Sequence, residues 1–227
     1  VSDEYVKPGI LSSHTLLANA SGTYGVAIAE HTIGMILALN KNFKTYIQHM
    51  QNGIWQTDTI GKELYRQTVV IVGLGDLGYT IAKRLKAFDC YNIGVRRRPS
   101  HCPSCLDEIY TTDQLEDVLP RGDFVILALP QSSQTYHLFD QQKLMLMKRD
   151  AVLINVGRGS AIATDDLVNV LNQGHLYGVG LDVVEEEPLP ADHPLWQMDN
   201  VLITPHASGG YVWESARTYF TDLVIRN

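Results

Sequence analysis

Three segments of this 227-residue chain each end an apolar run in a group that can hold or move charge. Ala151-Val-Leu-Ile-Asn-Val-Gly-Arg158-Gly159 closes on a glycine-flanked cation. Gly178-Val-Gly-Leu-Asp182-Val-Val-Glu-Glu-Glu187-Pro188 closes on carboxylates, and Val201-Leu-Ile-Thr-Pro205-His206 on an imidazole. An arginine can clamp a substrate carboxylate through paired hydrogen bonds and polarise the neighbouring carbonyl. A histidine can donate a proton to that oxygen, or remove it in the reverse direction, and a glutamate bonded to it favours the imidazolium. Singly, each has a plainer use: a salt bridge for Arg158, a solvated acidic run for Glu187, a strand-end position for His206. Together, at three strand ends facing one crevice, they are the set that reduction of a 2-oxo acid requires.

A fourth segment supplies the other half of such chemistry. Val69-Val-Ile-Val-Gly73-Leu-Gly75-Asp76-Leu77-Gly78 is an apolar strand running into a glycine-spaced turn, with a helix starting near Leu77. In this spacing Gly73 allows the tight turn, Gly75 lets the backbone approach a pyrophosphate, and Gly78 lets the helix pack on the strand. The amides at the helix start then face the phosphates. The next strand should end beside the adenosine ribose, where a carboxylate would accept from a free 2′-hydroxyl. Arg96 stands there instead, followed by Arg97 and Arg98, and guanidinium groups suit a 2′-phosphate. The cofactor expected is therefore NAD or NADP, with NADP favoured. A solvated basic loop that accepts either is the plainer alternative.

The elements that must position these groups follow from the apolar runs Val69 to Val72, Tyr91 to Val95, Phe124 to Leu127, Ala151 to Ile154, Val179 to Leu181 and Val201 to Ile203. They are continuous rather than alternating, as in strands buried on both faces. Between them, Thr111 with Gln114 has the spacing of a capping box, Asp140 can cap a helix running to Met147, and Asp165 and Asp166 after Thr164 put anions at a helix start. Gly174 sits where that last helix should stop. Strand and helix in alternation give an α/β fold, a doubly wound parallel sheet of Rossmann type. The segment Val26 to Leu39 is apolar almost all round, which predicts a helix buried on more than one side and, by preference, in a homodimer contact.

The bulk composition narrows the setting. A net charge of −7 argues against a nucleic-acid partner, which calls for a basic patch. No apolar run is long enough for a membrane span. Cys90, Cys102 and Cys105 are too few for a disulfide framework, and Cys102-Pro-Ser-Cys105 lacks the second ligand pair of a zinc site, so no metal is expected. A cytoplasmic protein fits best.

The stretches Ala29-Glu-His-Thr32, Gly73-Leu-Gly75-Asp-Leu-Gly78, Asn155-Val-Gly-Arg158-Gly159, Leu181-Asp182-Val-Val-Glu-Glu-Glu187-Pro188 and Thr204-Pro205-His206-Ala-Ser-Gly209 span nearly the whole chain. In them the chain resembles the D-isomer-specific 2-hydroxyacid dehydrogenases, which include glyoxylate/hydroxypyruvate reductases and phosphoglycerate dehydrogenases. The resemblance implies Arg158 as substrate-binding arginine, His206 as acid/base and Glu187 as its partner. It also implies Asp182 at the nicotinamide carboxamide, and Pro130 and Thr135 along the adenosine side. It departs at Ala128, where the family commonly has a histidine, and at Arg96. It further implies that residues 1–22 are a remnant of a substrate-binding lobe otherwise largely missing, that 23–212 form the dinucleotide-binding domain with its dimerisation helix, and that 213–227 begin a helix returning to that lobe. Two rivals share the resemblance. Dinucleotide-sensing corepressors can keep the same three residues without catalysis, while formate dehydrogenases carry a glutamine where Glu187 stands.

Overall fold

The computed structural model describes residues 9–12, 14–15, 20–57, 61–98, 101–210 and 212–226. Much of the segment 1–22, read above as a remnant of another lobe, lies outside the described residues.

Seven parallel strands form one sheet in the order β3-β2-β1-β4-β5-β6-β7: β1 (Thr68–Val72), β2 (Tyr91–Arg96), β3 (Glu108–Thr111), β4 (Phe124–Leu127), β5 (Val152–Asn155), β6 (Gly178–Leu181) and β7 (Val201–Ile203). Six match the expected runs to within a residue at each end. The expectation lacked β3. This strand lies at the sheet edge, pairs with β2 alone and is half-exposed along its length, so Glu108-Ile-Tyr-Thr has no continuous apolar signal.

Continuity of the apolar runs has a direct packing cause. Val70, Val72, Val125, Leu127 and Leu153 point into a core on one face of the sheet, whereas Val69, Ile71, Phe124, Ile126, Val152 and Ile154 point into another core on the opposite face. Successive side chains alternate between faces, so a strand covered on both must be apolar throughout. The first core is closed by α5 (Gln141–Leu146) and α6 (Thr164–Asn172), the second by α1 (Gly25–Asn40) and α3 (Asp76–Leu85).

The caps behave as their chemistry requires. Asp140 accepts from the Lys143 amide at 2.9 Å at the start of α5, which ends at Leu146 rather than Met147. Thr111 and Gln114 form a capping box on a single 3₁₀ turn rather than on a longer helix. Asp165 and Asp166 lie in the first turn of α6, and Gly174 follows its end with φ +66°. The apolar helix α1 packs against α3 and the sheet, burying Gly25, Ala27, Ala29, Thr32, Met35, Ile36 and Asn40, exposes Glu30 and Gly34, and leaves its other residues half-covered. After it come α2 (Phe43–Gln51), which buries no residue, the short α4 (Leu115–Val118) and α7 (Glu214–Arg226).

Candidate active site

Because every strand is parallel, all carboxyl ends lie on one edge of the sheet, and the order reverses between β1 and β4. That point is where α/β proteins bind ligands. A crevice of about 1080 Å³ opens there, lined by Gly73, Gly75, Arg96, Pro130, Thr135 and Arg158 among others. Asp76, Leu77 and Arg97 also line it.

The turn after β1 tests whether a dinucleotide fits. Gly73 has φ +103°, and a Cβ there would lie 2.5 Å from the Ala128 carbonyl oxygen. A Cβ on Gly78 would overlap the Gly73 carbonyl, so α3 packs on β1 only through a glycine. Gly75 differs: a Cβ there would meet nothing within 4 Å, leaving bare backbone toward the crevice at the start of a helix whose N-terminus no side chain caps. Uncapped amides beside open space are what a pyrophosphate needs.

Around the crevice the remaining groups fall into place. Arg96 is half-buried and donates to the Tyr79 hydroxyl at 3.2 Å, while Arg97 is exposed. The Thr135 hydroxyl donates to the Pro130 carbonyl at 2.7 Å and accepts from the Ser132 amide at 2.9 Å, which closes the loop after β4 into a compact turn. Arg158 turns back on the Gly157 carbonyl at 2.8 Å. Its loop is shaped by Asn155, a fully buried residue the sequence reading passed over, whose amide donates to the Arg158 carbonyl at 3.0 Å and whose oxygen accepts from the Gly157 amide at 3.1 Å.

His206 and Glu187 meet beyond the crevice lining. Nδ1 of His206 lies 2.8 Å from Oε2 of Glu187, and the other carboxylate oxygen accepts from the Val184 amide at 3.2 Å. A carboxylate has no proton to give, so Nδ1 carries the hydrogen and Nε2 is left for proton exchange. His206 holds a left-handed φ of 52°, an uncommon conformation for a residue other than glycine. Its amide donates to the Asp182 carbonyl at 2.8 Å.

Asp182 is only 2% exposed. Its carboxylate accepts from the Thr204 hydroxyl at 2.5 Å, the Ala207 amide at 3.0 Å, the Ser208 amide at 3.2 Å and the Ser208 hydroxyl. Thr204 spends its one proton on Asp182, so at 2.9 Å it accepts from Nε2–H of His31 on α1. Asp182 therefore faces the backbone of the His206 loop with both oxygens. Thr204, Ser208 and His31 were not singled out from sequence, because hydroxyls and a lone helical histidine carry no spacing signal. Among the described residues, no cluster of His, Cys, Asp and Glu could hold a metal, and no helix is long and apolar enough to cross a membrane. All three cysteines are free.

Known proteins share the sequence pattern and the fold. The family described as D-isomer specific 2-hydroxyacid dehydrogenase, NAD binding domain, matches residues 33–208. This chain belongs to that family. It is 35% identical to a glyoxylate reductase of Thermofilum pendens over 99% of its own length and 66% of the relative's. Two solved structures superpose with a TM-score of 0.84, each over 98% of this chain and 70% of the other. One is a D-isomer specific 2-hydroxyacid dehydrogenase family protein of Aeromonas salmonicida, 31% identical, and the other an NADPH-dependent glyoxylate/hydroxypyruvate reductase of Sinorhizobium meliloti in complex with NADP and sulfate, 27% identical. The chain thus spans about two thirds of the length of these relatives. The family is one of oxidoreductases that bind NAD(P), and its Rossmann-type sheet is the one described above.

The Asp182 network makes a pH-dependent prediction. Burial alone would push its carboxyl up, but the hydrogen bonds from Ser208, Thr204 and the Ala207 amide outweigh that and hold it below the ordinary aspartate range. A lowered folded value means the stabilisation is complete above the unfolded value of about 4 and fades as pH falls through the folded one. Asp182→Asn, which sets an amide against donors, should cost about 3 kcal/mol at neutral pH. Thermal midpoints of the two proteins should stay apart from neutrality to about pH 5 and converge only in stronger acid.

Proposed function

We propose that this protein transfers a hydride between NAD(P)H and a small 2-oxo acid, forming the D-2-hydroxy acid, with Arg158, Glu187 and His206 as the working residues. The observation that carries the reading is the His206–Glu187 pair at 2.8 Å, which aims one imidazole nitrogen at a carboxylate and leaves the other for a substrate oxygen. Bound nicotinamide supplies or accepts the hydride. Arg158 binds the substrate carboxylate once its guanidinium leaves the Gly157 carbonyl. His206 gives Nε2–H to the carbonyl oxygen, while Glu187 accepts Nδ1–H and holds the ring in place. The glyoxylate and hydroxypyruvate reductases among the relatives favour a short substrate.

Gly73, Gly75, Asp76, Leu77 and Gly78 would cradle the phosphates in this reading, with Pro130 and Thr135 on the adenosine side and Asp182, the anchor of the His206 loop, at the nicotinamide carboxamide. Arg96, supported by Tyr79, and Arg97 suit a 2′-phosphate, which favours NADP. Residues 23–212 serve as the dinucleotide unit, and 213–227 lead toward a substrate lobe. The free thiols suit a reducing, cytoplasmic compartment.

The half-covered side of α1 and the apolar surface that follows it support a homodimer. Phe43, Ile47, Met50 and Trp55 are all exposed, and α2 buries none of its residues. Light scattering should give twice the protomer mass; a single-protomer mass would remove the dimer from the reading.

His206→Ala should lower turnover by about 10²- to 10⁴-fold with cofactor affinity unchanged, whereas Arg158→Ala should also raise KM. Turnover that survives His206→Ala would sink the assignment. For the cofactor, Arg96→Asp should move preference from NADPH toward NADH in the ratio of kcat/KM values, and an unmoved ratio would leave the arginines as bystanders.

A further inference from the structure

Two of the carboxylates in the loop after β6, two residues apart, each meet a histidine. Glu187 meets His206. Glu185 meets His137, whose Nε2 lies 2.5 Å from Oε1, and the Tyr136 hydroxyl lies 3.4 Å from the same oxygen. Both histidines hold a left-handed backbone, φ 48° for His137 and 52° for His206. A bulky residue stays in that region only where its surroundings over-determine it.

The surroundings of His137 do so. Its ring stacks on Tyr136 with centroids 3.9 Å apart, and its amide donates to the Ser160 carbonyl at 2.8 Å. The second oxygen of Glu185 accepts from the Thr164 hydroxyl at 3.2 Å and the Thr164 amide at 3.4 Å, at the first residue of α6. Burial opposes the charge on Glu185, but the bonds from His137 and Thr164 outweigh it and keep the carboxyl below its ordinary range. One carboxylate thus ties the loop after β6 to two other segments, the turn before α5 and the start of α6. Backbone packing tightens the same junction, because a Cβ on Gly159 would overlap the Val184 carbonyl. Val184 is in turn the residue whose amide holds Glu187.

We propose that Glu185 is a positioning residue for the reaction: anchored by His137 and Thr164, it fixes the loop that presents Glu187 to His206. Its carboxylate bonds to His137 and Thr164 rather than to His206 and lies off the crevice lining, so its effect runs through Glu187. The proposal rests on the reading of His206 as the acid/base.

The test is a substitution cycle with Glu185→Gln, Glu187→Gln and the double variant in the whole protein. In an otherwise wild-type background Glu185→Gln should lower kcat by about tenfold, as a modest misplacement does, while cofactor Kd stays within about twofold. In the Glu187→Gln background it should lower kcat no further, because the group it positions is gone. An equal loss in both backgrounds, or none in either, would overturn the proposal. Thr164→Val, which removes one bond without changing charge, should give a smaller fall of the same kind and guards against a folding defect in the first variant. A readout independent of turnover separates this proposal from the function it rests on. Nitrogen NMR of histidine-labelled protein should show the His206 Nδ1 resonance moving, in Glu185→Gln, toward its position in Glu187→Gln. An unmoved resonance overturns the positioning role whether or not the protein turns over, whereas a moved resonance in a protein without turnover upholds it and sinks only the proposed reaction.

Discussion

Asp182 is an ionised carboxylate with almost no solvent, a state tolerated only where donors replace water on every side. Here the donors come from the residues around His206. The hydroxyls of Thr204 and Ser208 and the amides of Ala207 and Ser208 converge on it, and the Asp182 carbonyl holds the His206 amide. Removing the charge would leave those donors facing a group that cannot accept them all. The left-handed turn at His206 persists because this cluster determines it, and the imidazole inherits its direction from that turn. Through Thr204 and His31 the constraint extends to α1, the helix that precedes the exposed apolar residues of α2. A change at His31 therefore has a hydrogen-bonded path to the His206 loop.

The parallel sheet makes such a site possible from short, separate segments. Each strand delivers its terminal residue to the same edge, so Arg158 from β5, Asp182 from β6 and His206 from β7 need no long-range loop to meet. Loops after these strands supply orientation: Asn155 shapes the Arg158 turn, and the Glu185–His137 contact holds the loop bearing Glu187. Reacting groups stand on short tethers, and buried polar side chains hold those tethers.

Legibility in the sequence followed the same division. Strands buried on both faces declare themselves by continuous β-branched runs, and the glycine turn by spacing, so β1, β4 and the crevice were readable from residues 69–78 and 124–127. The strand β3 was not, since a short edge strand pairs on one side and has no need to be apolar throughout. A glutamate and His206 could be read as a pair because both follow apolar strands, but the choice of Glu187 among three consecutive glutamates came from the family resemblance. Asn155, Thr204, Ser208 and His137 could not, because a residue that matters through its hydrogen-bond partner has no pattern along the chain. Asp182 was legible as a strand-end carboxylate, but its inward direction depends on which loop folds over it, and that is tertiary information.

The most direct measurement is consumption of NADPH and NADH by the whole protein with glyoxylate, hydroxypyruvate, pyruvate and longer 2-oxo acids. Steady oxidation with a short 2-oxo acid, faster with NADPH than with NADH, is the expected result. Saturable cofactor binding, followed by tryptophan fluorescence, with no oxidation against any 2-oxo acid would contradict it and make the protein a dinucleotide-sensing scaffold.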